Sequence, residues 1–175
     1  ALESLARTYL FDFRNLDGWP RIPEGEQILD RCIKDYPTSY YAAISQYLKA
    51  YTRCLVNNWG AAITEAQKGI DTYGDSTLNN TAVVRCYYTI GYALEWQNRW
   101  DEAITKFQET ITRFPGDLIS AEAQREIARC YFHKGDRAQA YIETQKVINE
   151  YPNSWVAEQA RKEIGFLSNL LSPQL

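Results

Sequence analysis

The chain has 175 residues, of which 45% are hydrophobic and 23% are charged, a composition that predicts a folded domain with a buried core and argues against disorder. Its formal net charge of −3 gives no basic surplus of the kind that neutralises a phosphate backbone, so nucleic acid is not the expected partner. Charged residues interrupt every apolar run before it reaches the roughly 18 to 20 residues of a membrane span.

Apolar residues recur at three- and four-residue spacing, which is the period of an amphipathic helix. Ala103, Ile104, Phe107 and Ile111 show this spacing clearly. Turns are predicted inside the repeats at 57–58, 98–99 and 134–136, where Asn and Gly suit a tight connection. The sequence predicts helices near 2–16, 24–36, 39–57, 60–73, 76–98, 101–114, 118–134, 137–151 and 154–171.

Four related segments end helices at a nearly constant interval. They read DYPTS at 35–39, TYGDS at 72–76, RFPGD at 113–117 and EYPNS at 150–154. Their aromatic residues lie 73 − 36 = 37, 114 − 73 = 41 and 151 − 114 = 37 positions apart, and a period of this length indicates a solenoid of helix hairpins. Pro stops the helix in three of the four segments, and the following Ser or Asp is suited to cap the next helix.

The third segment resembles the tetratricopeptide-repeat consensus: it reads Y-x-x-I-G-x-x-L, then W-x-x-A-x-x-x-F, then FPGD. The matching residues are Tyr87, Ile90, Gly91, Leu94, Trp100, Ala103, Phe107 and Pro115. The other segments share some of these positions. They keep Ala128, Tyr131, Gly135, Ala140 and Pro152 in the fourth segment, Trp59 and Ala62 in the second, and Gly25, Leu29 and Pro37 in the first.

The resemblance implies an all-α fold, a right-handed tetratricopeptide-type solenoid of about four helix hairpins with a capping helix at its C-terminal end. It implies one domain over 1–175, with repeats near 2–37, 38–74, 75–115 and 116–152 and the capping helix at 153–171. It also implies that small residues stand where the two helices of a hairpin touch, as at Gly91 and Ala103.

The chain carries no recognisable catalytic pattern, so we expect no enzyme activity, no cofactor and no metal site. His133 is the single histidine and is expected to be solvated near the turn at Gly135. The phosphate-binding glycine patterns do not occur. The cysteines form no C-x-x-C pair and are expected to be small buried residues, although one disulfide stays open if the compartment is oxidising. They are Cys32, Cys54, Cys86 and Cys130.

By the same resemblance, the first helix of each hairpin lines a groove that binds a peptide. The implied groove positions are Tyr47, Tyr51, Arg85, Tyr88, Tyr92, Glu95, Glu122, Arg125, Arg129 and Phe132. Tyr and Arg are both enriched at the hot spots of protein interfaces. The alternative interpretation is that these tyrosines are half-buried packing residues.

We therefore expect a scaffold that holds a partner protein or peptide in this groove within a multiprotein assembly. Two alternatives stay open. One is a structural or oligomerisation domain, in which exposed aromatic residues such as Trp19, Trp96 or the pair Tyr40 and Tyr41 join copies of the chain. The other is an accessory repeat domain of a larger protein.

The aromatic-Pro-x-Ser ending of the repeats resembles bacterial envelope members of the family. These include the lipoprotein scaffold of β-barrel assembly and the Tol-Pal-associated cell-division coordinator. This resemblance implies a periplasmic or envelope-associated protein, with the cytoplasm as the alternative. Because the sequence starts at Ala1 and contains no Met, we expect any signal peptide or lipid anchor to lie upstream.

Overall fold

The computed structural model describes residues 2–8, 22–75 and 77–171, and all the regular structure within these ranges is helical. The predicted all-α class of helix hairpins is confirmed. A 3-10 turn, Thr77–Asn79, precedes α5. The α-helices are α1 (Leu2–Arg7), α2 (Ile22–Asp35), α3 (Tyr40–Leu55), α4 (Trp59–Tyr73), α5 (Asn80–Trp96), α6 (Trp100–Arg113), α7 (Leu118–His133), α8 (Arg137–Glu150) and α9 (Trp155–Leu171).

The helix bounds agree with the sequence prediction within about two residues at most ends. The largest difference is at α5, which was expected to begin near 76 and begins at Asn80, because the preceding residues form the 3-10 turn. The predicted first helix, 2–16, is described only as far as residue 8, and its remainder lies outside the described residues, as does Trp19.

The chain divides into two compact units between Thr89 and Ile90. In the N-terminal unit, α2 packs against α1 and α3, and α3 packs against α4. In the C-terminal unit, α7 packs against α6 and α8, and α9 packs against both α8 and α7. The core under α9 is formed by Ala121, Val147, Val156 and Ala160, with Ile148 and Tyr151 packed against it.

The connections between helices use the residues that the repeated motif predicted. Three N-caps are confirmed: Ser39 Oγ accepts a hydrogen bond from the Ala42 amide at 3.1 Å, Asp117 Oδ1 from Ile119 at 2.8 Å, and Ser154 Oγ from Ala157 at 3.1 Å. The equivalent Ser76 lies outside the described residues.

The turns inside the hairpins need left-handed backbone, which Asn and Gly adopt at little steric cost. Asn57 has φ 56°, Asn98 has φ 60° and Gly135 has φ 85°. Each of these residues allows the chain to reverse within a few positions, so the following helix returns antiparallel to the one before it. The turns predicted at 57–58, 98–99 and 134–136 are therefore confirmed.

Glycines in two helices permit close side-chain approach, one in each unit. A Cβ atom added at Gly91 would lie 2.6 Å from Phe107 Cε1, and Phe107 is fully buried. A Cβ added at Gly69 would lie 2.7 Å from Cys86 Sγ and 3.4 Å from Gln46 Cγ. The distances of 2.6 Å to Phe107 and 2.7 Å to Cys86 are shorter than real Cβ contacts. Only glycine therefore fits at either position without a shift in its neighbours.

The small residues of the repeat consensus and the four cysteines are buried, as expected. Ala62, Ala103 and Ala140 are each 0% exposed, and Gly25 occupies the corresponding place in α2. All four cysteines are free thiols. Burial raises the pKa of Cys54 to about 11 and that of Cys86 to about 12. The pKa of Cys130 also rises to about 12, through burial and then the nearby carboxylates.

Candidate peptide-binding surfaces

The ten predicted groove residues lie on α3, α5 and α7, the first helices of their hairpins, and the unit boundary separates them into two sets. In the N-terminal set, the Tyr47 and Tyr51 rings lie 6.1 Å apart, and the Arg85 guanidinium lies over the Tyr47 ring at 5.6 Å from its centroid. Burial raises the pKa of Tyr47, while the charge and hydrogen bond of Arg85 act in the opposite direction. Tyr88, on the next turn of α5, is half-buried.

In the C-terminal set, Arg129 binds two carboxylates of its own chain. Its Nε lies 2.5 Å and its Nη2 2.6 Å from the two oxygens of Glu95, a bidentate arrangement. Nε also lies 2.9 Å from Glu126 Oε2. The Glu95 side chain is 4% exposed and that of Glu126 is 7% exposed, whereas that of Arg129 is 36% exposed. This arrangement joins the end of α5 to α7.

Arg125 forms a second ion pair, with Glu163 on α9. Its Nε lies 3.0 and 3.2 Å from the two Glu163 oxygens, and its Nη2 donates to Oε1. The hydrogen bond to Glu163 raises the pKa of Arg125 and outweighs the opposing effect of burial. Two of the three predicted groove arginines, Arg125 and Arg129, are thus already held by carboxylates of the chain itself.

A pocket of about 160 Å³ lies beside this ion pair, between α7 and α9. Phe132 and Phe166 stand at it with ring centroids 6.3 Å apart, and they are 37% and 57% exposed. Ala128, Thr144 and Leu167 complete its apolar lining. We call this the α7–α9 pocket.

A second pocket, of about 340 Å³, lies where α5 turns into α6 and shares Arg129 with the α7–α9 pocket. It is lined by Glu95, Trp96, Asn98, Trp100, Arg129 and His133. Two of its aromatic rings are stacked: the Trp100 and His133 ring centroids lie 5.1 Å apart, with an angle of 11° between the ring planes. Trp96 is 55% exposed and meets Tyr92 edge to face at 6.0 Å. We call this the tryptophan pocket.

The sequence interpretation missed Glu163 and Phe166, because it treated α9 only as a capping helix. A signal for them was present in the repeat spacing: 166 − 129 = 37, so Phe166 stands one repeat after Arg129 and occupies a groove position of the same register. It also missed the tryptophan pocket, because Trp96 was considered only as an exposed residue and His133 only as a solvated one.

Glu122 lies on α7 and is partly exposed, as Tyr92 is on α5. The binding role of all ten predicted residues stays a prediction.

Two stretches of the chain, residues 85–117 and 122–154, match a known family model. The matched family is the tetratricopeptide repeat. The matched stretches cover most of the third and fourth predicted repeats, including Gly91 and the predicted groove arginines Arg85, Arg125 and Arg129. Tetratricopeptide repeats generally mediate protein–protein interaction. Comparison with curated proteins found no significant match to the chain.

In the described ranges, no helix is both long and apolar enough to cross a membrane. Among the same residues, no group of three or more His, Cys, Asp or Glu side chains is placed to hold a metal ion.

Proposed function

We propose that this protein is an interaction scaffold of tetratricopeptide type that binds a segment of a partner polypeptide at the α7–α9 pocket. The observation that carries the proposal is the pair of exposed rings, Phe132 and Phe166, at an apolar pocket beside a fixed ion pair. Aromatic anchors around a concave apolar site are typical of surfaces that bind another protein. The family match of the two repeats supports the same class of function.

The ion pairs indicate which interactions contribute to binding. Arg125 and Arg129 are occupied by Glu163 and Glu95, so a partner's carboxylate would have to displace an existing partner to reach them. Apolar contact is therefore the expected main source of affinity. Full burial of a Phe side chain contributes about 1.5–3 kcal/mol, so covering two half-exposed rings gives about 2 kcal/mol, or a factor of about 30 in affinity.

The test is affinity capture from a lysate of the native organism, with the full chain as bait. The variant Phe132→Ser/Phe166→Ser removes both rings. Ile142→Ser is the matched control, because Ile142 is 46% exposed on α8 and does not line the pocket. Tyr88→Ala/Arg125→Ala tests the wider groove prediction, with circular dichroism to show that loss of the Arg125–Glu163 pair leaves the helices intact.

A partner held by the wild type and the Ile142 variant, but lost by the phenylalanine variant, supports the proposal. A partner that the phenylalanine variant retains contradicts the pocket assignment. Recovery of the chain alone favours a structural role instead.

Self-association remains the second candidate, and one observation favours it. Tyr40 and Tyr41 are 42% and 55% exposed at the start of α3, and their rings meet edge to face at 5.7 Å. Exposed aromatic pairs of this kind are common at interfaces between chains. Light scattering over a range of concentrations separates the two roles, because a scaffold that acts as a monomer keeps a constant mass.

We further propose a place in the bacterial envelope, as a relative of the lipoprotein scaffold of β-barrel assembly or of the Tol-Pal-associated coordinator, with the cytoplasm as the alternative. The aromatic-Pro-x-Ser repeat endings support it. Burial raises the pKa values of Cys54, Cys86 and Cys130 and keeps these thiols protonated and slow to oxidise, so their free state does not argue against an oxidising compartment. Cell fractionation with an antibody against the chain tests this location, and a purely cytoplasmic signal would contradict it.

A further inference from the structure

The charged groups that line the tryptophan pocket are paired with one another. Glu95 supplies the carboxylate, which is 4% exposed, and both of its oxygens accept hydrogen bonds from Arg129. The two formal charges therefore cancel at the pocket wall. An occupant cannot use the carboxylate oxygens as acceptors without displacing Arg129, so this lining favours an uncharged occupant.

Aromatic rings and hydrogen-bond donors make up the rest of the lining. Trp96 is 55% exposed, and Trp100 and His133 form the stacked pair. Asn98 is exposed at the left-handed turn beside them. Its side-chain amide can donate, and the indole nitrogen of Trp100 can only donate. The pocket thus offers flat apolar faces together with donors.

We propose that the tryptophan pocket binds a proline of the partner segment, held in the polyproline II conformation, and so selects which segments the scaffold accepts. The inference rests on the proposed function, because it concerns the same bound segment. Proline is uncharged, presents an apolar ring to an indole face and carries no hydrogen on its nitrogen. A segment in this conformation keeps its carbonyl oxygens exposed to donors, and it docks on aromatic rings at a low cost in conformational entropy.

Other apolar residues match this pocket less well than proline does. A leucine side chain would also cover the rings, but its residue brings a backbone N–H that needs an acceptor. The carboxylate of the pocket already accepts from Arg129. Leucine also lacks the fixed backbone angle that holds the segment extended before it binds.

The tryptophan pocket adjoins the α7–α9 pocket. Arg129 lines both, and the Phe132 ring at the α7–α9 pocket meets the His133 ring at the tryptophan pocket edge to face, with centroids 6.0 Å apart. A polyproline II segment rises about 3.1 Å per residue, so a short stretch reaches from one pocket to the other. The proline and the apolar anchor should therefore lie close together in the partner's sequence.

The experiment is selection of random twelve-residue peptides, displayed on phage, against the full chain. Affinities of the selected peptides, and of versions with each Pro replaced by Leu, are then measured by fluorescence anisotropy. They are measured for the wild type, for Trp96→Ala and His133→Ala, and for Phe132→Ser/Phe166→Ser. Trp155→Ala is the matched control for Trp96→Ala, since Trp155 is 49% exposed and lines neither pocket. Circular dichroism checks that each variant keeps its helices.

We expect the selected peptides to carry a proline near an apolar residue, and their affinity to fall about tenfold when that proline becomes leucine. This loss should nearly disappear in Trp96→Ala, shrink in His133→Ala and persist in Trp155→Ala. Peptides that need both phenylalanines but bind equally well with leucine would overturn this inference and leave the proposed function standing, as would a proline preference that Trp96→Ala retains. Peptides that bind the phenylalanine variant as well as the wild type would overturn both.

Discussion

The N-terminal and C-terminal units share a buried framework and differ in the side chains at the groove positions. Two repeats separate equivalent positions by 37 + 41 = 78 residues. In the first unit, Gln46 donates to Glu65 Oε2 at 2.8 Å, and 78 positions later Gln124 donates to Glu143 Oε2 at 2.6 Å. A lysine three positions further along the helix pairs with each glutamate, Lys68 at 3.0 Å and Lys146 at 2.9 Å.

The groove positions of the same register carry different chemistry. Tyr47 corresponds to Arg125, and Tyr51 corresponds to Arg129, since each pair is 78 positions apart. The first unit therefore presents adjacent, tilted tyrosine rings where the second presents ion pairs. Packing between helices permits few solutions and so repeats, whereas this packing does not determine the side chains at the predicted groove positions.

The largest expected effect that would sharpen this contrast comes from Arg129→Ala. The change leaves Glu95 and Glu126 buried without their shared cation. Removing one member of a fully buried ion pair costs about 3–5 kcal/mol of stability, and the partial exposure of Arg129 reduces the expected cost to about 2–3 kcal/mol. Urea denaturation measures the loss. Adding Glu95→Gln should restore part of it, because the amide carries no buried charge; a double variant no more stable than the single one would contradict the ion-pair explanation.

The shared framework is tested next at Gly91. Gly91→Leu should lower the free energy of unfolding by on the order of 1–3 kcal/mol, because the new side chain meets the buried Phe107 ring. Gly165→Ala is the control: nothing lies within 4 Å of its Cβ position in α9, so the change should raise stability by about 0.5–1 kcal/mol through helix propensity. An unchanged melting temperature for Gly91→Leu would refute the repeat register.

The equivalence of the two units is tested at the hydrogen bonds from Gln46 to Glu65 and from Gln124 to Glu143, which we call the glutamine bridges. Gln46→Ala and Gln124→Ala should each cost about 1–2 kcal/mol, since each removes an amide donor from a largely buried carboxylate. Gln145→Ala, at an exposed position on α8, should change stability by less than about 0.5 kcal/mol. Strongly unequal losses for the two bridges, measured by chemical denaturation, would break the comparison.

The smallest effect concerns the acid stability of the first unit. Partial burial acts to raise the pKa of Glu65, but hydrogen bonds from Lys68 and Gln46 and the charge of Lys49 lower it overall. A lowered folded-state pKa stabilises the fold above the unfolded pKa of about 4.3, and this contribution disappears as the pH falls through the folded value. Lys68→Gln should therefore cost about 0.3–0.5 kcal/mol at pH 7 and almost nothing at pH 2. An equal loss at both pH values would show that the carboxylate is not involved.

Most of the fold could be predicted from the sequence, because its signals are local. Pro37, Pro115 and Pro152 end helices by covalent geometry, and Asn57 and Gly135 mark left-handed turns. The repeat period and the residues that end helices or form turns therefore located the hairpins without knowledge of their packing. The start of α5 was misplaced, because nothing in the residues before Asn80 distinguishes a 3-10 turn from a first helical turn.

The candidate site was harder to predict because it depends on side chains that are distant in sequence. Arg125 could be placed on the correct helix, but its partner, Glu163, lies 38 positions away on a helix interpreted as a cap. Single-sequence patterns show which face a residue occupies and do not show which carboxylate holds it. The pockets follow from such pairings, so they became visible only in three dimensions.

The four buried cysteines allow local opening of the helices to be measured on the unmodified protein. A cysteine shielded by packing reacts with a thiol reagent only when the surrounding helices separate, so the labelling rate measures the free energy of that separation. Cys32, Cys54 and Cys86 lie in the N-terminal unit and Cys130 in the C-terminal unit. Mass spectrometry of the labelled peptides would therefore time the opening of each unit in the unmodified protein, with no introduced probe.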